Sequence, residues 1–249
     1  MRATRWDLQA LWRTAALTVL LFAVGCLVTA ATDEGGVAWS ARLGRTLPLL
    51  PACGAMATFL ALRLAARRGE VLALETLGCA PARIALPAVL GGASASVAAL
   101  VLLLALPSAR SASTVAAFFP HIGGSPVRVE PGPSFVDPIH RARISADGVV
   151  SAVADVPEPT GGGGGLPAGA RLSVAVVIAA AGAGLSLVAA RRVRDPRASP
   201  VLLAAAMCVL CIVSFHFAAA GLASAYLACV PACALLIGAA VRYRRHKWV

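Results

Sequence analysis

The sequence predicts an all-α membrane protein: six transmembrane helices in two groups of three, separated by a small outward-facing insert that forms a β-hairpin or a small sheet. Three observations carry this expectation. Hydrophobic residues make up 59% of the 249-residue chain against 13% charged, and the mean hydropathy is +0.82, far from the balance of a water-soluble domain. Apolar windows at 14–31, 47–65, 84–106, 172–190, 200–220 and 222–241 each approach the roughly 20 helical residues needed to cross about 30 Å of hydrocarbon. With both termini in the cytoplasm, the outer segments hold seven arginines (Arg42, Arg45, Arg110, Arg128, Arg141, Arg143, Arg171) balanced by seven acids, so the whole formal charge of +11 falls inside. That is the positive-inside distribution, and it needs no nucleic-acid partner.

The first window follows Arg2 and Arg5 and contains AVGC at 23–26, features of a secretory leader and a lipoprotein cleavage box. Ala23 stands where such a box wants leucine, and the apolar run continues through Leu27 and Val28; an uncleaved first span is expected. Pro48, Pro51 and Pro87 fall at or near the first turns of spans two and three, where a missing N–H matters least. Gly91, Gly92, Ala93, Ser94 and Ser96 in span three, and Gly182 and Gly184 in span four, allow helix backbones to approach closely. Pro231 lies deeper and is expected to kink span six.

These elements divide the chain into an N-terminal membrane half (1–106), an insert (107–170) and a C-terminal membrane half (171–249). Within the insert, HRARISADGVVSAVADV carries an Asp147-Gly148 turn signal between β-branched stretches and reads as a hairpin. The glycine run at 161–165 with Pro157, Pro159 and Pro167 reads as a flexible tether.

Several function classes are excluded by what the spans lack. No Asp, Glu, Lys or Arg lies near a span centre, whereas ion-coupled carriers and proton pumps retain such groups; energy for active transport must come from another chain. His216, near the outer end of span five, reads as structural or interfacial. Of the seven cysteines all but Cys79 fall in spans, and the Cys208/Cys211 and Cys229/Cys233 pairs lack a nearby His or acid, so packing is expected rather than metal or redox chemistry. His121 and His140 are isolated, and no paired carboxylates or nucleophile–base set appears at one membrane face. Neither a catalytic residue nor a metal ligand is assigned.

The segment RRGEVLALETLGCAPAR, 67–83, interrupts two apolar runs with two acids and three arginines. Gly69 separates the arginines from a short helix expected over about 69–78, Gly78 supplies a left-handed stop, and Pro81 delays the next helix until Ile84. Glu70, Ala73, Leu74 and Leu77 share one stripe while Glu75 points away. Two readings stay open on these residues: a ridge tipped by Glu70 that docks into a partner offering arginine, or a short interfacial helix whose acids touch headgroup water.

The stretch 47–87, LPLLPACGAMATFLALRLAARRGEVLALETLGCAPARIALP, resembles the LptF/LptG (YjgP/YjgQ) family of lipopolysaccharide-export permeases, with Glu70, Val71, Ala73, Leu74, Gly78, Arg83 and Pro87 at matching places. LSLVAARRVRDP, 185–196, is similar to that family's basic junction after its fourth span. The resemblance implies a multi-pass permease subunit in a bacterial inner membrane, with a periplasmic insert and no ATPase of its own. ATP and Mg would sit on a separate cytoplasmic ATPase, and the 69–78 helix would be the coupling helix through which that ATPase engages Glu70, Val71, Ala73, Leu74, Leu77, Gly78 and Arg83. A second permease subunit and a lipopolysaccharide or related glycolipid are the other implied partners, with Arg42 and Arg45 as candidate contacts to lipid phosphates. Consistently, the chain has no GxxxxGK[ST] phosphate loop. The 64-residue insert (107–170) is much smaller than the β-jellyroll usual in that family. This leaves a non-transporting membrane scaffold as the alternative function.

Overall fold

A computed structural model describes residues 5–32, 46–105, 114–115, 118–119, 128–129, 135–137, 142–144, 150–152, 169–193, 199–220 and 222–245. Its helices are α1 (Arg5–Thr32), α2 (Leu50–Arg67), α3 (Glu70–Thr76), α4 (Pro81–Ala105), α5 (Ala170–Arg192), α6 (Ser199–Ala219) and α7 (Cys229–Arg245). A 3-10 turn, Leu47–Leu49, leads into α2, and another, Ala225–Ala228, leads into α7. Six of the described helical stretches are long and apolar enough to cross a membrane: Arg5–Ala31, Leu47–Arg67, Pro81–Ala105, Ala170–Arg192, Val201–Ala219 and Ala225–Tyr243. The chain is therefore built as a multi-pass helical membrane protein.

Three boundaries differ from the sequence expectation, each for a local reason. The first span begins about two turns earlier than 14, because Trp6, Asp7, Leu8, Gln9 and Arg13 continue the helix at its polar end. Pro81 opens α4 instead of delaying it, since a first helical residue needs no N–H partner; Pro87 consequently lies inside the helix, where it removes the donor for the Arg83 carbonyl. Pro231 sits in the first turn of α7, because the preceding residues are wound as a 3-10 turn. The deep kink expected there has no cause.

The helix α5 packs along α2, α4, α6 and α7, and α1 packs on α2 and α4. Small side chains make this possible. Ser173, Ala175, Ala181, Gly182, Gly184, Ser186 and Ala190 are all buried along α5, so its backbone lies close to several neighbours at once. At the tightest point Gly54 of α2 meets Gly92 of α4: a Cβ on either would collide with backbone of the other, and the Ser186 hydroxyl lies within 3.0 Å of a Cβ placed at 92. Gly91 presses on the backbone of α1 at Leu11 and Ala15 in the same way. The Thr14, Thr18 and Thr58 hydroxyls, fully buried, donate to carbonyls one turn back in their own helices at 2.8, 2.9 and 2.8 Å, which removes the penalty of burying them. Larger apolar side chains collect toward one end, where Phe118 and Phe119 meet Phe215 with ring centroids 5.8 and 5.2 Å apart.

Polar clamps hold both ends of α4. Asp7, in the first turn of α1, accepts two hydrogen bonds from the Arg83 guanidinium at 2.8 and 2.7 Å, a bidentate, charge-assisted pair. The Tyr243 hydroxyl of α7 donates to the Ala82 carbonyl at 2.5 Å. At the far end Arg171, in the first turn of α5, donates to the Leu103 and Leu104 carbonyls at 2.5 and 2.7 Å, satisfying last-turn groups that have no partner within the helix. Asp7→Asn and Arg83→Gln are each expected to lower the thermal midpoint of the purified protein. The double variant should lose less than the sum of the two; a fully additive loss would mean the pair does not act as a unit.

Away from the helices, four short backbone segments pair antiparallel in chain order: β1 (Arg128–Val129), β2 (Phe135–Asp137), β3 (Ala142–Ile144) and β4 (Val150–Ala152). The β3–β4 register sets Ile144 opposite Val150 and Arg143 opposite Ser151. The Asp147-Gly148 turn, His121, His140 and the glycine run at 161–165 lie outside the described residues.

Candidate functional site

The 67–83 segment is organised by its glycines. At the end of α2, Arg68 N–H donates to the Leu64 carbonyl and Gly69 N–H to the Ala66 carbonyl, both at 3.1 Å. Gly69 then turns left-handed (φ 75°), a conformation that costs an L-residue roughly 1–2 kcal/mol, and its carbonyl accepts the first bond of α3, from Ala73 N–H at 2.9 Å. The other end closes as a Schellman motif. Gly78 (φ 79°) donates to the Glu75 carbonyl at 2.9 Å and Cys79 to the Leu74 carbonyl at 3.0 Å, the paired pattern that satisfies a helix's last carbonyls. Nothing lies within 4 Å of a Cβ placed on Gly69 or Gly78, so glycine is needed at these positions for the backbone, not for space. A seven-residue helix is marginal alone; these two turns and the ends of α2 and α4 hold it.

None of the α3 residues is fully buried. Leu72, Ala73, Thr76 and Leu77 are exposed, Leu72 at 65% and Leu77 at 78%, while Glu70, Val71, Leu74 and Glu75 are half-buried. The outward stripe thus holds three apolar residues and a threonine whose hydroxyl is turned onto the Ala73 carbonyl at 2.9 Å. By 3.6 residues per turn it is rotated roughly 80° from the Glu70–Ala73–Leu74–Leu77 ridge expected from the sequence. Ala73 and Leu77 belong to both. Leu72 lies outside the expected ridge, because the phase of a short helix relative to its neighbours depends on how its bracketing glycines turn.

Glu70 opens α3 with its carboxylate 3.9 Å from the Arg68 guanidinium, both partly exposed, a pair that contributes little in water. Val71 faces a cleft of about 110 Å³ that is also lined by Leu62, Pro81, Ile84, Arg191 and Tyr243, and α3 packs on α2 and α4. Gly78 is exposed. Arg83 is committed to Asp7 within the chain; the sequence offers no signal for this partner, since the two residues are 76 positions apart. Arg42 and Arg45 lie outside the described residues.

The same end carries most of the cationic side chains in the described residues. Arg67 and Arg68 border α3, Arg191 and Arg192 end α5, Arg242 lies near the end of α7, and Arg63 stacks over the Phe59 ring at 5.7 Å. At the opposite end His216 is exposed in the last turn of α6. Sulfur atoms in the spans touch backbone: Cys211 reaches the Ala228 carbonyl and Cys229 the Ser173 carbonyl, each at 3.8 Å. No group of three or more His, Cys, Asp or Glu among the described residues could hold a metal ion. What the arrangement offers is mechanical: a helix bracketed by two left-handed glycines, with an apolar outer face, joined to the ends of α2 and α4. Comparison of the chain with family models, curated proteins and solved structures gives no match.

Proposed function

We propose that the chain is a transmembrane permease subunit of an ATP-driven exporter of lipopolysaccharide or a related lipid, energised by a separate cytoplasmic ATPase that docks on α3. The observation that carries this reading is the exposed Leu72–Ala73–Thr76–Leu77 face on a helix fixed at both ends by left-handed glycines. Apolar side chains this exposed at the basic end of the bundle form a surface that a groove on a partner would cover. By the positive-inside rule the arginine-rich end, α3 and both termini face the cytoplasm, and the segment around β1–β4 is a periplasmic insert.

In this mechanism the ATPase pair closes on ATP and pushes α3. Ala73, Leu77 and Gly78 meet the ATPase directly with Glu70 at their edge, and Val71, Leu74 and Arg83 act behind them as positioning residues. Force passes from α3 into the ends of α2 and α4, on which it packs. Because Gly54 and Gly92 bring α2 and α4 into backbone contact and Asp7–Arg83 fixes α1 to α4, these three spans move as one body. A second permease subunit, copy or paralogue, completes the outward cavity, and Arg42 and Arg45 are assigned to the lipid phosphates.

The test is purification from the native membrane. The expected complex contains a nucleotide-hydrolysing subunit whose ATP turnover rises with added glycolipid, and Glu70→Lys lowers the recovered ATPase roughly tenfold, whereas Glu75→Ala changes it little. A stable complex without any nucleotide-binding subunit would replace this reading with that of a membrane scaffold.

A further inference from the structure

Between α1 and α2 at the arginine-rich end lies a second, larger cleft of about 460 Å³, within the range of about 300–1,000 Å³ typical of small-molecule sites. It has two parts. Its apolar trough is walled by Ala16, Leu17 and Leu20 of α1 and by Ala61 and Leu64 of α2. Its mouth is lined by Trp6, Trp12, Arg13, Arg68 and Glu70. From Trp6 to Leu20 the groove follows α1 for about 21 Å at 1.5 Å per residue, enough to run from the membrane surface through one leaflet of about 15 Å.

The mouth is built for an anion at the bilayer surface. Arg13 is exposed and makes no ion pair among the described residues, while Arg68 reaches only Glu70, at 3.9 Å. The Trp6 and Trp12 side chains border this pair of cations at the mouth. Tryptophan and arginine at this depth are the side chains that meet lipid headgroups. We infer that this cleft binds an anionic phospholipid of the adjoining leaflet, its phosphate between Arg13 and Arg68 and an acyl chain in the trough along Leu17 and Leu20. This site depends only on the helices crossing a bilayer, not on the ATPase reading.

Native mass spectrometry of the full chain in micelles, titrated with phosphatidylglycerol or phosphatidylcholine, tests it. The expected result is retention of phosphatidylglycerol on the order of tenfold better than phosphatidylcholine, falling to the phosphatidylcholine level in the Arg13→Gln/Arg68→Gln variant. Arg63→Gln, at the same end but outside the cleft, should retain it like the wild type. Ala16→Trp fills the trough with the arginines intact and should also lose about tenfold, and Glu70→Gln, which removes a repelling carboxylate, should gain. Equal retention in the wild type and the double arginine variant would overturn the site, as would an unaffected Ala16→Trp protein. Displacement of the lipid by millimolar inorganic phosphate would also overturn it, by showing that an anion alone is recognised.

Discussion

Gly92→Ala is expected to destabilise the helix bundle by about 1–3 kcal/mol, the usual range for forcing atoms into a filled core. The added carbon would collide with the Thr58 hydroxyl, approach the Gly54 carbonyl at 2.6 Å and reach the Ser186 hydroxyl at 3.0 Å. Two of those neighbours belong to α2 and one to α5, so no single side-chain rotation relieves the contact; α4 must move away from both. Thr58→Ala in the same chain should recover part of the loss, because it removes the nearest atom, and only part, because the Gly54 carbonyl remains. The control is Gly238→Ala on α7, where nothing lies within 4 Å of the new carbon and helix propensity favours alanine by roughly 0.5–1 kcal/mol. Equilibrium unfolding in mixed micelles measures all three. A Gly92→Ala protein as stable as the Gly238→Ala protein would show that the α2–α4–α5 junction is looser than described.

The second large effect is expected at the outer face of α3. Leu72→Asp combined with Leu77→Asp should reduce ATPase association about a hundredfold or more, since central apolar residues of a docking surface contribute about 2 kcal/mol or more each and a charge in their place must be desolvated on docking. Both side chains are more than half exposed, so folding and membrane insertion should be unchanged. Val71→Asp differs in kind. It places a charge in the cleft against Leu62 and Ile84 and should lower stability and association together. Binding of the proposed ATPase partner to the chain in nanodiscs, alongside the thermal midpoint, separates the two behaviours.

Much of this organisation was legible in the residues. Length and apolarity located the six spans, and the glycines at 69 and 78 located α3, because both signals are local: a span is a run of composition, and a left-handed turn is a property of one residue. Errors arose where a local signal had two meanings. Pro81 reads locally as a barrier but is a helix opener, and Pro231 reads as a kink but lies in a first turn; which role a proline plays depends on where the preceding turn ends. The position of α3 is legible in the sequence; which of its faces points outward is not. Residues 70–77 look amphipathic from several angles, and the choice of outer face is made by Gly69, by the Schellman closure at Gly78 and Cys79, and by the packing of α3 on α2 and α4. The Asp7–Arg83 pair and the two cations, Arg13 and Arg68, at the α1–α2 cleft depend on tertiary contact, and no spacing in the chain announces them.

The central claim is that α3 meets a nucleotide hydrolase. Photocrosslinking in living cells from residues substituted at Leu72, Leu77 and Val71 addresses it most directly. The account predicts adducts to a cytoplasmic ATPase from positions 72 and 77 and few or none from 71. Adducts to no such protein from any of the three, or adducts only to proteins on the opposite side of the membrane, would contradict it.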